Sequence, residues 1–360
     1  MSDDVRILLL ADSHLGFDLP ISARSTRRRR GHDFLANYAT ALRPALNGEV
    51  DLVVHAGDVF DRSSVPKTLA YQAYEPLKRV ADGGVPVFIV PGNHERSRLP
   101  HARFASHAGI HVFDRPRTFV ARVRGRAVAL SGFPYERENV RACFSALLEQ
   151  TEWRRERDAL RVLCMHHCVE GATVGPGDFT FTTSSDVIRA REIPGDFRVA
   201  LSGHIHRHQV LTTDLKRREL GVPVLYPGSI ERTSFAEADE AKGFMVVHVG
   251  EGERDVRWEF RRLPARPMVQ HELDANAIDA QAMEASIRAV IAESPADAVL
   301  SVRVSGSLTD SHWCALSSAR LRAIVPRSMN LAIRPVEGFD RRVRSAPRSS
   351  GSGIQPGLFD

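Results

Sequence analysis

Short apolar runs separated by stretches of helical spacing give the chain its first organisation. Over the first 260 residues, runs rich in Val, Ile and Leu predict strands at 5–11, 51–56, 85–90, 127–131, 161–165 and 198–202. A strand-rich stretch follows at 222–226, 243–249 and 256–262. Helices fit at 32–47, 68–82 and 138–150, and the alternation of the two element types predicts an α/β domain. No internal repeat is visible.

Two prolines in Leu263-Pro264-Ala265-Arg266-Pro267 interrupt this pattern and predict a boundary. Beyond it lies a compact βαβαβ-like unit. Met283, Ile287, Val290 and Ile291 follow the spacing of a helix with one apolar face, and Leu300, Val302 and Val304 alternate with Ser301 and Arg303 as in a half-buried strand. A helix at 311–324 and a strand at 329–333 complete the unit. From Asp340 onward the chain is basic and rich in small residues, as in a linker with nothing to bury, and it ends in Gln355-Pro356-Gly357-Leu358-Phe359-Asp360. The expected divisions are therefore 1–263, 265–337 and 338–360.

Composition narrows the class. Across 360 residues, 43% hydrophobic and 26% charged content excludes disordered and fibrous chains. The apolar runs stop well short of the roughly 18 residues that a membrane span needs, so a soluble protein with no membrane partner is expected. Met1-Ser2-Asp3-Asp4 leads at once into a strand, without a basic or apolar leader, which points to the cytoplasm. Cys143, Cys164, Cys168 and Cys314 form no CxxC pair, and buried thiols in a reducing compartment are expected. The net charge is +5, yet residues 341–360 hold four arginines and one aspartate, or +3, which leaves 45 − 43 = +2 on the rest. Overall charge is thus a weak pointer to nucleic acid.

Chemistry enters through five motifs, each placing Asp, Asn or His directly after a predicted strand. They are Ala11-Asp12-Ser13-His14, Gly57-Asp58-Val59-Phe60-Asp61-Arg62, Gly92-Asn93-His94-Glu95, Met165-His166-His167 and Gly203-His204-Ile205-His206. Ligands collect outside the carboxyl ends of strands in open α/β sheets, so five strand ends converge on one site. In extended chain the i, i+2 spacing of Asp12 with His14, and of His204 with His206, puts both side chains of a pair on one side. Each pair can grip a metal. Asp58 has two oxygens and can bridge two cations, while imidazoles and an amide oxygen complete mixed shells that favour manganese, iron or zinc over calcium. Gly57, Gly92 and Gly203 let the backbone turn sharply beside the ligands. A single histidine at a strand end is most often structural; a surplus of ligands from five ends is what a two-metal hydrolase needs.

The order D-x-H, GDxxDR, GNHE, H, GHxH resembles the calcineurin-like metallophosphoesterases over residues 5 to 235. Tyr226-Pro227-Gly228-Ser229-Ile230-Glu231-Arg232, followed by Ser234, Phe235 and Glu237, resembles the corresponding block of SbcD-type DNA repair exonucleases. The resemblance implies a metallophosphoesterase β-sandwich flanked by helices over 1–263. It implies a small α+β capping domain that helps to hold DNA over 265–337. It implies two divalent ions, Mn2+ first among them, one held by Asp12, His14, Asp58 and His206 and the other by Asp58, Asn93, His166 and His204. His166 is preferred to His167 because it comes first after its strand. His94 matches the family's catalytic histidine, which contacts the scissile phosphate or protonates the leaving oxygen. Some SbcD-like nucleases have histidine where this chain has Asp61, which here either fixes Arg62 or orients a metal ligand.

Two basic groups stand out. Arg24, Arg27, Arg28, Arg29 and Arg30 lie between the first metal motif and the first helix, and they read equally as DNA phosphate contacts or as a solvated loop. Arg122, Arg124 and Arg126 alternate as on the solvent face of an edge strand. The tail residues Gln355, Leu358 and Phe359 resemble a peptide that docks on the bacterial sliding clamp; a frayed end is the plainer reading. The resemblance also implies an SbcC-type ATPase partner and a homodimer, but no amphipathic pattern after residue 340 identifies how the ATPase docks. The leading expectation is a Mn-dependent DNA nuclease, acting as an exonuclease on double-stranded ends. One alternative is a phosphodiesterase or phosphatase for small molecules or phosphoproteins, since GNHE and GDxxDR also occur in phosphoprotein phosphatases that lack GHxH. Another is a non-catalytic recruitment factor tethered to the clamp.

Overall fold

The computed structural model describes residues 4–18, 28–96, 98–99, 102–252 and 255–335. Contacts divide the chain into two compact units, Met1–Pro267 and Met268–Asp360.

The first unit is built on two six-stranded mixed sheets. In one, Val5–Leu10, Leu52–His55, Val87–Ile89 and Ile110–Val112 run parallel, and Gly243–Val249 and Val256–Arg262 extend it antiparallel. In the other, Arg126–Gly132, Leu160–Met165, Val199–Ser202 and Glu219–Tyr226 run parallel, flanked by antiparallel Arg117–Val123 and Gln209–Thr213. Strands buried on both faces read as near-continuous apolar runs, and Val-Arg-Ile-Leu-Leu-Leu at Val5–Leu10 is an example.

The pleat sorts that run to two sides. Val5, Ile7 and Leu9 enter a core between the sheets with Val162, Cys164, Val199, Leu201 and Met245. Leu8 and Leu10 face the other way, onto Phe34, Tyr38, Leu69 and Leu77 from helices Arg30–Ala41 and Lys67–Asp82. The second sheet does the same: Leu163 and Met165 pack on Phe144 and Leu148 of helix Val140–Gln150. The layers are thus helix, sheet, sheet, helix, as the family resemblance implies. Leu9 is fully buried between the sheets. Leu9→Ala is expected to cost about 2–5 kcal/mol, read as a lower urea midpoint with an unchanged slope.

The second unit has three parallel strands, Met268–Asp274, Val299–Ser305 and Asn330–Pro335. Met283 and Ile287 of helix Ala280–Glu293 pack against Leu273, Val302 and Val304.

Several expectations need adjustment. The helix expected at 32–47 is two helices, Arg30–Ala41 and Arg43–Leu46. Pro44 lacks an N–H and crowds the carbonyl one turn back, so the helix restarts there. The helix at 311–324 splits into Asp310–Ala315 and Ser318–Ile324 because Ser317 is extended, at φ −61° and ψ 142°. The alternation of Arg122, Arg124 and Arg126 breaks in the middle: Arg124 and Gly125, at φ 50° and 74°, form a hairpin turn, and Arg124 Nε lies 2.9 Å from Asp51. Cys164 and Cys168 are buried, but Cys143 is half-buried and Cys314 exposed. Among the described residues no helix is long and apolar enough to cross a membrane.

Candidate active site

Five strands deliver the motif residues to one place. Val5–Leu10, Leu52–His55 and Val87–Ile89 in one sheet end at Asp12, Asp58 and Asn93, and Leu160–Met165 and Val199–Ser202 in the other end at His166 and His204. The first two loops are laced by main-chain bonds from Asp12 N–H to Gly57 O (2.9 Å), from His14 N–H to Asp58 O (3.0 Å) and from Leu15 N–H to Val59 O (2.9 Å). Asp12, His14, Asp58 and His204 all have positive φ, at 49°, 40°, 52° and 80°. Such backbone is costly for L residues and persists where surrounding structure enforces it.

All seven expected ligands come together. Asp12, His14, Asp58 and His166 are essentially inaccessible to solvent. His14 Nε2 and His206 Nε2 face each other at 3.0 Å, with Asp58 Oδ2 4.0 Å from the former and Asp12 Oδ1 4.0 Å from the latter. Alongside, His166 Nε2 lies 3.2 Å from Asp58 Oδ2 and 3.0 Å from Asn93 Oδ1, and His204 Nδ1 is 2.9 Å from that same amide oxygen. Three ligand trios lie close enough to hold an ion: Asp12, His14 and His206; His14, Asp58 and His94; Asp12, Asp58 and His166.

Hydrogen bonding tests whether cations fit. His166 Nδ1 is 2.7 Å from Ala56 O, and a carbonyl only accepts, so Nδ1 carries the hydrogen and the Nε2 lone pair points at the oxygens of Asp58 and Asn93. His206 Nδ1 lies 3.2 Å from Glu237 Oε1, so its Nε2 lone pair points toward His14 in the same way. Lone pairs aimed at carboxylates and at one another repel unless positive charge lies between them. Among the described residues, the charged partners of Asp12 and Asp58 are all imidazoles. Burial alone would lower the His166 pKa, yet the charges of Asp58 and Asp12 push it up to about 9, so without a metal a proton on Nε2 takes the place of the positive charge that a cation would supply. Burial would raise Asp58, yet His166, His14 and His94 hold it well below the usual carboxylate range. His204, desolvated and repelled by His166, is pushed down to about 3 and stays neutral. The donor set fits two divalent cations, with Asp58 Oδ2 lying between His166 and His14.

Two glycines make room. A Cβ on Gly57, whose φ is +102°, would lie 2.1 Å from His166 Nδ1, and one on Gly92 would lie 2.1 Å from Asp58 Oδ1. Because His166 is already held by Ala56 O, it cannot swing aside without giving up that bond. Gly57→Ala is expected to lower divalent-metal stoichiometry below the wild-type value in a folded chain, measured by elemental analysis beside a thermal melt.

His94 stands at the rim. Its side chain is 38% exposed, its Nε2 is 3.9 Å from Asp58 Oδ2, and its ring packs edge-on to His14 at 4.5 Å. Nδ1 donates to Asp61 O at 2.9 Å, which leaves Nε2 as the acceptor, and the His94 N–H donates to Asp58 Oδ1 at 2.9 Å. Asp61 has a second contact, Oδ1 at 3.6 Å from His14 Nδ1. Arg62, 54% exposed, lies 3.6 Å from Asp61. His167 turns out of the cluster: its Nε2 accepts the Glu136 N–H at 2.9 Å and its ring stacks on Tyr135 at 4.9 Å.

The described members of the arginine run, Arg28 to Arg30, are each held in ion pairs. Arg24 and Arg27 lie outside the described residues, as do Gln355, Leu358 and Phe359. Arg28 pairs with Asp33 at 2.6 Å, and Arg29 with Asp18. Arg30 corrects its expected role as a DNA contact. It is 6% exposed, opens a helix, and pairs with Asp33 and Glu231, both at 3.4 Å, so it serves the fold.

Sequence reading missed the residues that brace the ligands. Glu95 is buried and accepts from Phe60 N–H and Gly92 N–H, both at 2.8 Å, tying the second motif to the third. Burial and the charge of Asp58 push it up to about 8. His55 Nε2 is 2.8 Å from Ser13 Oγ, and burial pushes His55 down to about 3. Glu95 closes the GNHE motif and so was visible, but nothing local tells a brace from a ligand.

Residues 5–208 match the family model described as "Calcineurin-like phosphoesterase". The chain is 26% identical over 277 residues to "DNA double-strand break repair protein Mre11" of Thermoplasma acidophilum, spanning 74% of this chain and 68% of that protein. It is 26% identical over 292 residues to the D component of the nuclease SbcCD of Bacillus subtilis, spanning 74% and 72%. A dimetal phosphatase structure from Danio rerio superposes with a TM-score of 0.41 at 15% identity, over 71% of this chain and 99% of that one.

Proposed function

Since the chain belongs to the calcineurin-like phosphoesterase family, we propose that it is a two-metal-dependent nuclease that hydrolyses phosphodiester bonds in DNA. The observation that carries this reading is the convergence of Asp12, His14, Asn93, His166, His204 and His206 around Asp58, with His94 at the accessible rim. The choice of DNA is supported by the similarity to two proteins named for double-strand break repair and for nuclease activity.

Asp12, His14, Asp58 and His206 would hold one ion, and Asp58, Asn93, His166 and His204 the other, with Mn2+ as the proposed metal in both. Bound there, the pair neutralises phosphoryl oxygens and acidifies an attacking water. The chain's own residues orient the rest. Asp61 O fixes the His94 ring so that Nε2 faces the substrate position, where the protonated imidazole contacts the scissile phosphate or gives its proton to the departing oxygen. Exonuclease action on double-stranded ends, work with a second copy and an SbcC-type ATPase in the cytoplasm, and DNA holding by 265–337 belong to the same proposal. Clamp docking through Gln355, Leu358 and Phe359 is separable from it, and Phe359→Ala is expected to abolish it in a pull-down.

A panel of substrates tests the class. With Mn2+, linear duplex DNA is degraded, and a chelator stops the reaction. Intact DNA alongside turnover of phosphopeptides or small phosphodiesters would reassign the substrate to the phosphatase alternative.

A further inference from the structure

Outside the ligand set, one side chain is at odds with the composition around it. Of 49 basic residues only four are lysine, namely Lys67, Lys78, Lys216 and Lys242. Lys67 and Lys216 are exposed and Lys78 is partly exposed, whereas the Lys242 side chain is wholly buried. A buried ammonium is costly unless each of its hydrogens is used. Here Nζ has three acceptors: Glu237 Oε2 at 2.6 Å, Glu240 Oε2 at 3.0 Å and the main-chain oxygen of His206 at 2.9 Å. Three donors meet three acceptors around one point, a geometry that suits an ammonium and not a planar guanidinium.

Two of the three contacts lead to the same metal ligand. Lys242 grips the His206 carbonyl directly. It also holds Oε2 of Glu237, whose Oε1 lies 3.2 Å from His206 Nδ1. Thr233 Oγ1 donates to that same Oε1. The imidazole is thereby set with Nδ1 to the carboxylate and Nε2 toward His14 Nε2 and Asp12. Glu240, the third acceptor, also binds Arg207 Nε at 3.1 Å, so the residue next to His206 is held by the same group.

We propose that Lys242 is a positioning residue that fixes His206 at both its carbonyl and its ring, the latter through Glu237, and so sets the affinity of one of the two metal positions. The proposal rests on the reading of His206 as a metal ligand. A carboxylate behind a ligating imidazole fixes its tautomer and raises its basicity, and loss of such a partner costs about 10–100-fold in metal affinity. Lys242 adds a hydrogen-bonding anchor behind the carboxylate, and its 2.6 Å contact with Oε2 holds Glu237 where Oε1 meets the His206 ring.

Mn2+ titration of the full-length chain by calorimetry, with electron paramagnetic resonance to separate the two positions, tests this without turnover. Lys242→Met is expected to weaken one Mn2+ by about 10–100-fold and leave the other at wild-type affinity. Lys242→Arg is expected to fail similarly. The double variant Lys242→Met with Glu237→Gln should lose no more than the worse single, because both act through one imidazole. Should Lys242→Met not fold, Glu237→Gln alone serves, with the same selective loss expected. Wild-type affinity at both positions in a folded single variant, or equal loss at both with an additive double variant, overturns the proposal and leaves the site reading standing. A wild-type chain that takes up no Mn2+ overturns the site reading and the proposal with it.

Discussion

Asp58→Ala is expected to abolish paired metal binding and hydrolysis together. Asp58 is the contact between the two halves of the site, with Oδ2 at 3.2 Å from His166 Nε2, 3.9 Å from His94 Nε2 and 4.0 Å from His14 Nε2. Its Oδ1 also holds the His94 main-chain N–H at 2.9 Å. Removing it takes a shared ligand from both ions and the backbone anchor from His94. The loss should therefore exceed the about 10–100-fold that a missing supporting partner costs. Elemental analysis reads the first effect and DNA turnover the second. A variant that keeps two ions per chain would show that Asp58 does not bridge them.

His94→Ala is expected to separate what Asp58→Ala removes at once. The side chain is 38% exposed and its Nδ1 hydrogen is committed to Asp61 O, so the ring at the rim is open to a substrate. Both ions should stay bound while turnover of linear DNA drops by about 10²–10⁴-fold, the range for loss of a general acid. A substrate with a good leaving group needs less help from a proton and should suffer less. Loss of metal in step with activity would make His94 a ligand, a role that its place beside His14 and Asp58 keeps in play.

How much of this could be read from the sequence depended on distance along the chain. The candidate ligands were legible because each lies in a short motif just beyond a strand of consecutive apolar residues, and the family match over residues 5–208 bears out the family resemblance those motifs carried. His166 could be told from His167 by its place directly after Met165, and the two rings take different partners, Ala56 O for His166 and the Glu136 N–H for His167. The supporting residues were not legible. Lys242 acts on His206 across 36 positions, and the burial of Arg30 depends on Glu231, far along the chain, so no local pattern encodes either. Among the strands given no range in advance, Ile110–Val112, Arg117–Val123 and Gln209–Thr213 all lie at sheet edges, where identity comes from the neighbour they pair with.

The most direct test of the central claim is the rate of nucleotide release from linear duplex DNA by the purified chain as Mn2+ is titrated in, with bound metal counted in the same samples. A two-metal nuclease predicts a rate that stays at background with one ion per chain and rises as the second binds. Intact DNA at full occupancy by two ions would contradict it.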